Sequence, residues 1–179
     1  GQFDIFVKSG KDEKVFANDI YGKFLLTDDN SVIFMRKTDK GFDVIRKTGE
    51  EEKITASFFG NMSTNYMHLG DYIFNKNDGK LYNLLTGEQK TVIGYRMSPE
   101  MMAISPDGKY LVMLGTVVNM MDYQVHIFNL QTGDYTKLKD ENYSSHSNLT
   151  FLNNTTAVYM VLDPNQGYEY VALDMNKVK

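Results

Sequence analysis

The chain has 179 residues, 42% of them hydrophobic, with 19 Lys and Arg against 23 Asp and Glu for a net charge of −4. That apolar content supports a packed core, whereas the slight acidity, with lysines spread beside Asp and Glu, argues against a nucleic-acid partner, which needs clustered cations. Cysteine is absent, which excludes disulfides, thiolate catalysis and Cys-ligated zinc.

No apolar run approaches the roughly 18 residues that a membrane helix needs, so no membrane insertion by this segment is expected. The opening Gly1-Gln2 reads as a trimmed edge, with any targeting segment lying upstream.

In chain order, the first predicted unit is a short hairpin with strands near 4–8 and 13–16, joined at Gly10. A second unit runs from about 20 to 56, a third from about 65 to 93 and a fourth from about 101 to 139. A fifth starts near residue 148 and ends in a short strand at 177–179. Three series of turn residues divide these units into strands. Gly10, Gly49, Gly87 and Gly133 each follow a short strand and a polar residue, at spacings of 39, 38 and 46. Asp28-Asp29-Asn30, Leu69-Gly70-Asp71, Pro106-Asp107-Gly108 and Asn153-Asn154-Thr155 form the second series, at spacings of 40, 38 and 46 between Asn30, Gly70, Gly108 and Asn154. Asp39-Lys40-Gly41, Asn77-Asp78-Gly79, Asn119 to Asp122 and Asn165-Gln166-Gly167 form the third. In the fifth unit Asp174-Met175-Asn176 takes the place of the Thr-Gly turn. Asn, Asp and Gly tolerate positive φ, which tight hairpin loops require, and the second series is expected to form two-residue loops.

A period near forty built from strands and turns is the mark of a repeated four-stranded blade. Val32 to Met35, Leu111 to Leu114 and Ala157 to Val161 are apolar on both faces, as blades stacked face to face require. The fourth strands, such as Glu50 to Ile54 and Tyr135 to Leu138, are charged, as exposed edges are. No sustained helical stripe occurs, so almost no helix is expected. The predicted fold is all-β: a β-propeller-type array of four-stranded antiparallel blades, about four complete and one partial at the N-terminus. It forms a single domain over 1–179, incomplete or atypically closed.

Ile104-Ser105-Pro106-Asp107-Gly108-Lys109-Tyr110-Leu111, followed by Val125 to Gly133, resembles the Ser-Pro-Asp-Gly-Lys repeat of TolB-type and WD40-like bacterial β-propellers. The fourth unit carries the full pattern; the others keep its skeleton, without the Trp-Asp and Gly-His of WD40 repeats. The resemblance implies a propeller and an extracytoplasmic setting, secreted or surface-anchored. It implies no activity, because the fold hosts many.

Chemistry-bearing clusters are sparse. His68, His126 and His146 fall in a first strand, a third strand and a loop, with no metal-ligand spacing. No Gly-X-Ser-X-Gly elbow occurs, and Ser105 sits in a turn. Counting back from Gly79, Gly108 and Gly167 places Phe74, Ala103 and Leu162 where a calcium loop needs a ligand. Met101-Met102 and Met120-Met121 suit Cu(I) by softness, but most methionines lie in apolar strands and read as packing. Five Asn-X-Ser/Thr triplets, at Asn61, Asn142, Asn148, Asn153 and Asn154, read as products of an Asn-rich composition. No catalytic residue, metal or cofactor is expected.

What remains is a set of loop residues on one predicted face: Phe58, Phe59, Asn61, Tyr95, Met120, Met121, Tyr123, Tyr143 and His146. Aromatics and Met on loops suit a binding surface. The sequence therefore points to a non-catalytic interaction domain for a protein partner. The alternative is a small-molecule sensor or enzyme using the central channel, with Tyr66, His68, Met102 and Ser105 near it, or a fragment of a larger propeller-containing enzyme.

Overall fold

The computed structural model describes residues 2–9, 11–92, 97–117, 123–139, 146–163 and 165–178. It is built almost wholly of antiparallel strands in four sheets. The first sheet joins β1 (Gln2–Ser9), β2 (Asp12–Leu26), β3 (Val32–Lys37), β4 (Gly41–Thr48) and β5 (Glu51–Phe59) in chain order. A single helical turn, α1 (Met62–Asn65), precedes the second sheet of β6 (Tyr66–Leu69), β7 (Tyr72–Asn75), β8 (Lys80–Asn83) and β9 (Gln89–Thr91). The third holds β10 (Met97–Ile104), β11 (Tyr110–Val117), β12 (Tyr123–Asn129) and β13 (Tyr135–Lys139). The fourth holds β14 (His146–Phe151), β15 (Thr156–Asp163) and β16 (Gly167–Asp174). Sheets of consecutive strands at a forty-residue period are the blades expected of a propeller-type array.

Two blade boundaries differ from expectation. The strand expected at 13–16 does not stop; it continues as the 15-residue β2, so the N-terminal hairpin and the second unit share one five-stranded sheet. Nothing between Phe16 and Phe24 forms a reversing turn. Asp19 at φ 57° and Gly22 at φ 82° only interrupt the register, which shifts between Ile20 and Phe24. At the other end, 177–178 form no strand: Lys177 donates its amide to the Asp174 carbonyl at 3.0 Å, closing a turn, and Val178 packs on the core.

The chain divides into two compact units, 1–73 with 82–89, and 74–81 with 90–179. In the first, Ile33, Met35, Phe42 and Val44 pack with Tyr66, Ile73, Tyr82 and Leu84. The alternate residues Val32, Phe34 and Ile45 pack instead with Ala17 and Ile20 of β2 and with Ile5 of β1. Both faces of β3 are thus buried, which explains its continuous apolar run from Val32 to Met35. In the second unit, Val112, Leu114, Val125 and Ile127 pack with Ala157, Tyr159, Val161 and Leu173.

The turns fall where the three series placed them, but their geometry is different. A type I′ loop needs two successive residues at positive φ, and no such pair occurs among the described residues. Asn30 (φ 60°) lies in the turn closed by Asn30 N–H to Thr27 C=O at 3.0 Å, and Gly108 (φ 69°) in the turn closed by its N–H to Ser105 C=O at 2.8 Å. These two are longer loops built on a type I turn, whereas the expected two-residue loop is found at Gly70 and Asp71, which alone separate β6 from β7.

A second device recurs at the ends of strands. Asn83 Oδ1 accepts the amides of Leu85 and Thr86 at 2.8 and 3.1 Å, and Gly87 N–H returns to the Asn83 carbonyl at 2.9 Å. Asn129 does the same with Gln131, Thr132 and Gly133. Asp163 Oδ1 takes the amides of Asn165 and Gln166, two and three residues further on, in the turn across which Asp163 pairs with Gly167. The side chain stands in for a backbone acceptor and fixes the reversal. Gly10 and the loop from Asn119 to Asp122 lie outside the described residues.

Candidate functional site

Of the predicted surface residues, Phe58 and Phe59 are the most fully placed. They end β5, where the strand pairs Phe42 with Phe58 and Gly41 with Phe59. The pleat sends the two rings to opposite faces. Phe58 turns inward, stacked on Phe42 at 5.0 Å and edge-on to Tyr66 and Tyr82 at 5.4 and 5.3 Å. Phe59 turns outward and is 69% exposed.

The backbone under Phe59 is held from two sides. Tyr66 donates its hydroxyl to the Phe59 carbonyl at 2.8 Å, and the Gly60 amide donates to the Lys40 carbonyl at 2.8 Å. Gly60 needs its φ of 91° to make that reversal. Asn61 follows and opens α1, its carbonyl accepting the Asn65 amide at 2.9 Å. Beside this corner lies a small cavity of about 110 Å³ lined by Tyr21, Lys37, Phe42, Asn61 and Met62 among others.

The remaining surface candidates are less fully placed. Tyr95, Met120, Met121 and Tyr143 lie outside the described residues. Tyr123 opens β12, its backbone paired with Thr116. His146, expected in a loop, is instead the first residue of β14, with its backbone paired to Val161.

The residues expected near a channel have structural partners. Tyr66 is buried and its hydroxyl is spent on Phe59. Buried Ser105 accepts the Tyr110 amide at 2.9 Å and donates to Asp107 at 2.6 Å. Met102 is buried in β10. His68 is half-buried; burial and then the nearby Lys23 hold its pKa below the ordinary histidine value.

A larger hollow of about 330 Å³ lies against the N-terminal hairpin, lined by Val7, Lys14, Val15, Phe16 and Lys47 among others. Lys47 is buried there, 5.4 Å from the Phe16 ring and 3.3 Å from Glu52 Oε1. Its ammonium is thus paired, as a buried cation must be.

The sequence reading placed His126 correctly in a third strand but gave it no surroundings. It is 1% exposed, with Nδ1 2.9 Å from the Tyr135 hydroxyl, while Nε2 has no hydrogen-bond partner. Gln124, two residues earlier on the same face of β12, is likewise buried with Oε1 unpartnered. Burial, helped by Lys137, lowers the His126 pKa to about 4, so the ring is neutral at pH 7. Burial also raises that of Tyr135. The sequence signal was the polar-apolar alternation Gln124-Val125-His126-Ile127, which reads as a half-exposed strand. Among the described residues no three His, Asp or Glu side chains group as a metal site, and no helix is long and apolar enough to cross a membrane.

No protein-family model matches this sequence, and no curated protein matches it. Solved structures do. TolB from Acinetobacter baumannii aligns over 99% of this chain and 50% of its own, with 12% identity and a TM-score of 0.51. A prolyl endopeptidase aligns over 96% of this chain and 28% of its own, with 13% identity and a TM-score of 0.61. Oligogalacturonate lyase from Vibrio parahaemolyticus aligns over 91% and 51%, with 16% identity and a TM-score of 0.54. The chain therefore spans about half the length of the TolB and lyase structures, and less of the peptidase. At such identities the likeness establishes architecture and not chemistry: the chain has an all-β, TolB-type β-propeller fold.

Proposed function

We propose that this chain is a non-catalytic interaction domain of propeller type, working as one domain over 1–179 in a bacterial, extracytoplasmic setting and binding a protein partner. The setting follows the repeat's resemblance to TolB-type propellers. The observation that carries the binding reading is Phe59: an aromatic ring 69% exposed on a strand end whose carbonyl is pinned by Tyr66 and whose next amide is pinned by Lys40. A large apolar side chain held out on an ordered backbone loses little freedom on contact, which is what an interface anchor requires. Phe58 supports Phe59 from beneath, and Tyr95, Met120, Met121, Tyr123, Tyr143 and His146 are proposed on their residue types to serve partner binding as well.

The test is quantitative cross-linking and affinity capture from the source cells with the wild-type domain and Phe59→Asp. The reading requires one or more partners to be lost with Phe59→Asp while the circular dichroism spectrum is unchanged. Identical capture by both proteins ends it. A second reading, that the chain is part of a larger propeller-containing enzyme, draws on its match to 28% of a prolyl endopeptidase. A catalytic domain in the same polypeptide would favour that reading.

A further inference from the structure

The register of the third sheet aligns three buried side chains that the functional reading above does not use. Met102 of β10 lies opposite Met113 of β11, and Met113 lies opposite His126 of β12. Directly opposed residues share a face, with Cβ atoms about 4.5–5.5 Å apart from strand to strand. This is the face turned away from Val112, Val125 and Ile127, which pack in the core of the second unit. Met102, Met113 and His126 are all at least nine-tenths buried.

The histidine is posed as a ligand. Its Nδ1 is held by the Tyr135 hydroxyl, and its Nε2 has no hydrogen-bond partner. Metal-binding imidazoles are characteristically oriented by an outer partner on one nitrogen while the other faces the ion. A buried nitrogen with no partner is otherwise a cost to the fold. In the tautomer whose Nδ1–H donates to the Tyr135 oxygen, Nε2 carries the lone pair that would face the ion.

The donor set then selects the ion. Two thioethers and one imidazole are soft and uncharged, and no carboxylate is among them. A divalent ion would enter this site with its charge uncompensated. A soft monovalent ion brings half that charge and prefers sulfur.

We propose that Met102 Sδ, Met113 Sδ and His126 Nε2 form a three-coordinate site for Cu(I), with Tyr135 orienting the imidazole. Gln124, whose Oε1 is also buried without a partner on this face, lines its edge. Lys137, opposite His126 on β13, is exposed and carries the one charge on the row. The methionines of these strands thus have a use beyond filling space.

The experiment uses the whole chain, with Cu(I) under anaerobic reducing conditions and Ag(I) as a redox-inert probe. Titration against a chromophoric Cu(I) chelator should show one site, and X-ray absorption at the copper edge should show two sulfur scatterers and one nitrogen. Addition of Ag(I) should shift the His126 Nε2 resonance. Met102→Leu with Met113→Leu keeps the site apolar and close in volume, and should lower affinity more than tenfold. Met160→Leu, on β15, should leave it unchanged. Equal affinity in the double variant overturns the proposal. So does an Nε2 resonance that is indifferent to Ag(I), including one that reports only a bound water between Gln124 and His126. If the double variant does not fold, the wild-type resonance and absorption data decide.

Discussion

Ser105 and Asp107 are joined side chain to side chain at 2.6 Å, with Ser105 also accepting the Tyr110 amide at 2.9 Å and Asp107 the Lys109 amide at 3.1 Å. The Ser-Pro-Asp-Gly-Lys segment is therefore a closed hydrogen-bond circuit. Ser105→Ala would leave the amide of buried Tyr110 without its hydroxyl acceptor. A loss of about 1–3 kcal/mol is expected, read as a lower urea midpoint at unchanged slope. A variant as stable as wild type would mean that water replaces the hydroxyl.

Acid should weaken the fold through several carboxylates. Asp29 is held well below the usual carboxylate range, first by Thr27, then by Ser31, with Arg46 adding to it. Asp107 is lowered chiefly by Ser105, Asp174 by the Asn176 amide, and Glu52 by Arg36. A carboxylate whose folded pKa is depressed stabilises the protein above its unfolded value of about 4, and that stability is lost as pH falls through the folded value. Urea midpoints should begin to fall below about pH 6.5, because the unfolded chain protonates a histidine that buried His126 keeps neutral down to about 4, and should fall further below about 4 through the carboxylates. Asp29→Asn should flatten part of that acid limb.

Phe58 and Phe59 are adjacent in sequence and should behave oppositely. Phe58→Ala removes three aromatic contacts from the first unit's core and should cost about 3 kcal/mol. Phe59→Ala should stay within about 0.5 kcal/mol, because its ring faces solvent. Thermal melts of the two variants decide this. A large loss at Phe59 would place that ring in a core.

Two glycines should differ for a different reason. A Cβ at Gly41 would stand 2.0 Å from the Phe58 carbonyl oxygen, so Gly41→Ala must push β4 and β5 apart. About 3 kcal/mol is expected to be lost. Gly70, at φ 58°, has open space around it, and Gly70→Ala pays only for the left-handed backbone, about 1 kcal/mol. Denaturant titration of the pair separates crowding from conformational strain.

The turns were legible in the sequence because left-handed backbone restricts residue choice, and Asn30, Gly70, Gly87, Gly108 and Gly133 fall where the period placed them. The loop type was less so: whether one or two residues adopt positive φ depends on how the flanking strands twist. The run of β2 through Asp19 and Gly22 was hidden, since both residues look like turn formers and act here as interruptions of one strand. Phe58 and Phe59 both read as surface residues. Their opposite directions follow from strand parity, which a register shift between Val44 and Ile45 resets. His126 escaped notice because polar residues at alternate positions signal a wet face, and only packing of the third sheet reveals a dry one.

Within every sheet, each strand pairs with the one just before or after it in the chain. A nascent polypeptide leaving the ribosome thus completes one sheet before the next is synthesised, and no early strand must wait for a distant partner. Short-range pairing of this kind speeds folding and limits the time that bare edges are exposed. Translation itself can then set the order in which these sheets assemble, the one that carries Phe59 before the one that carries His126.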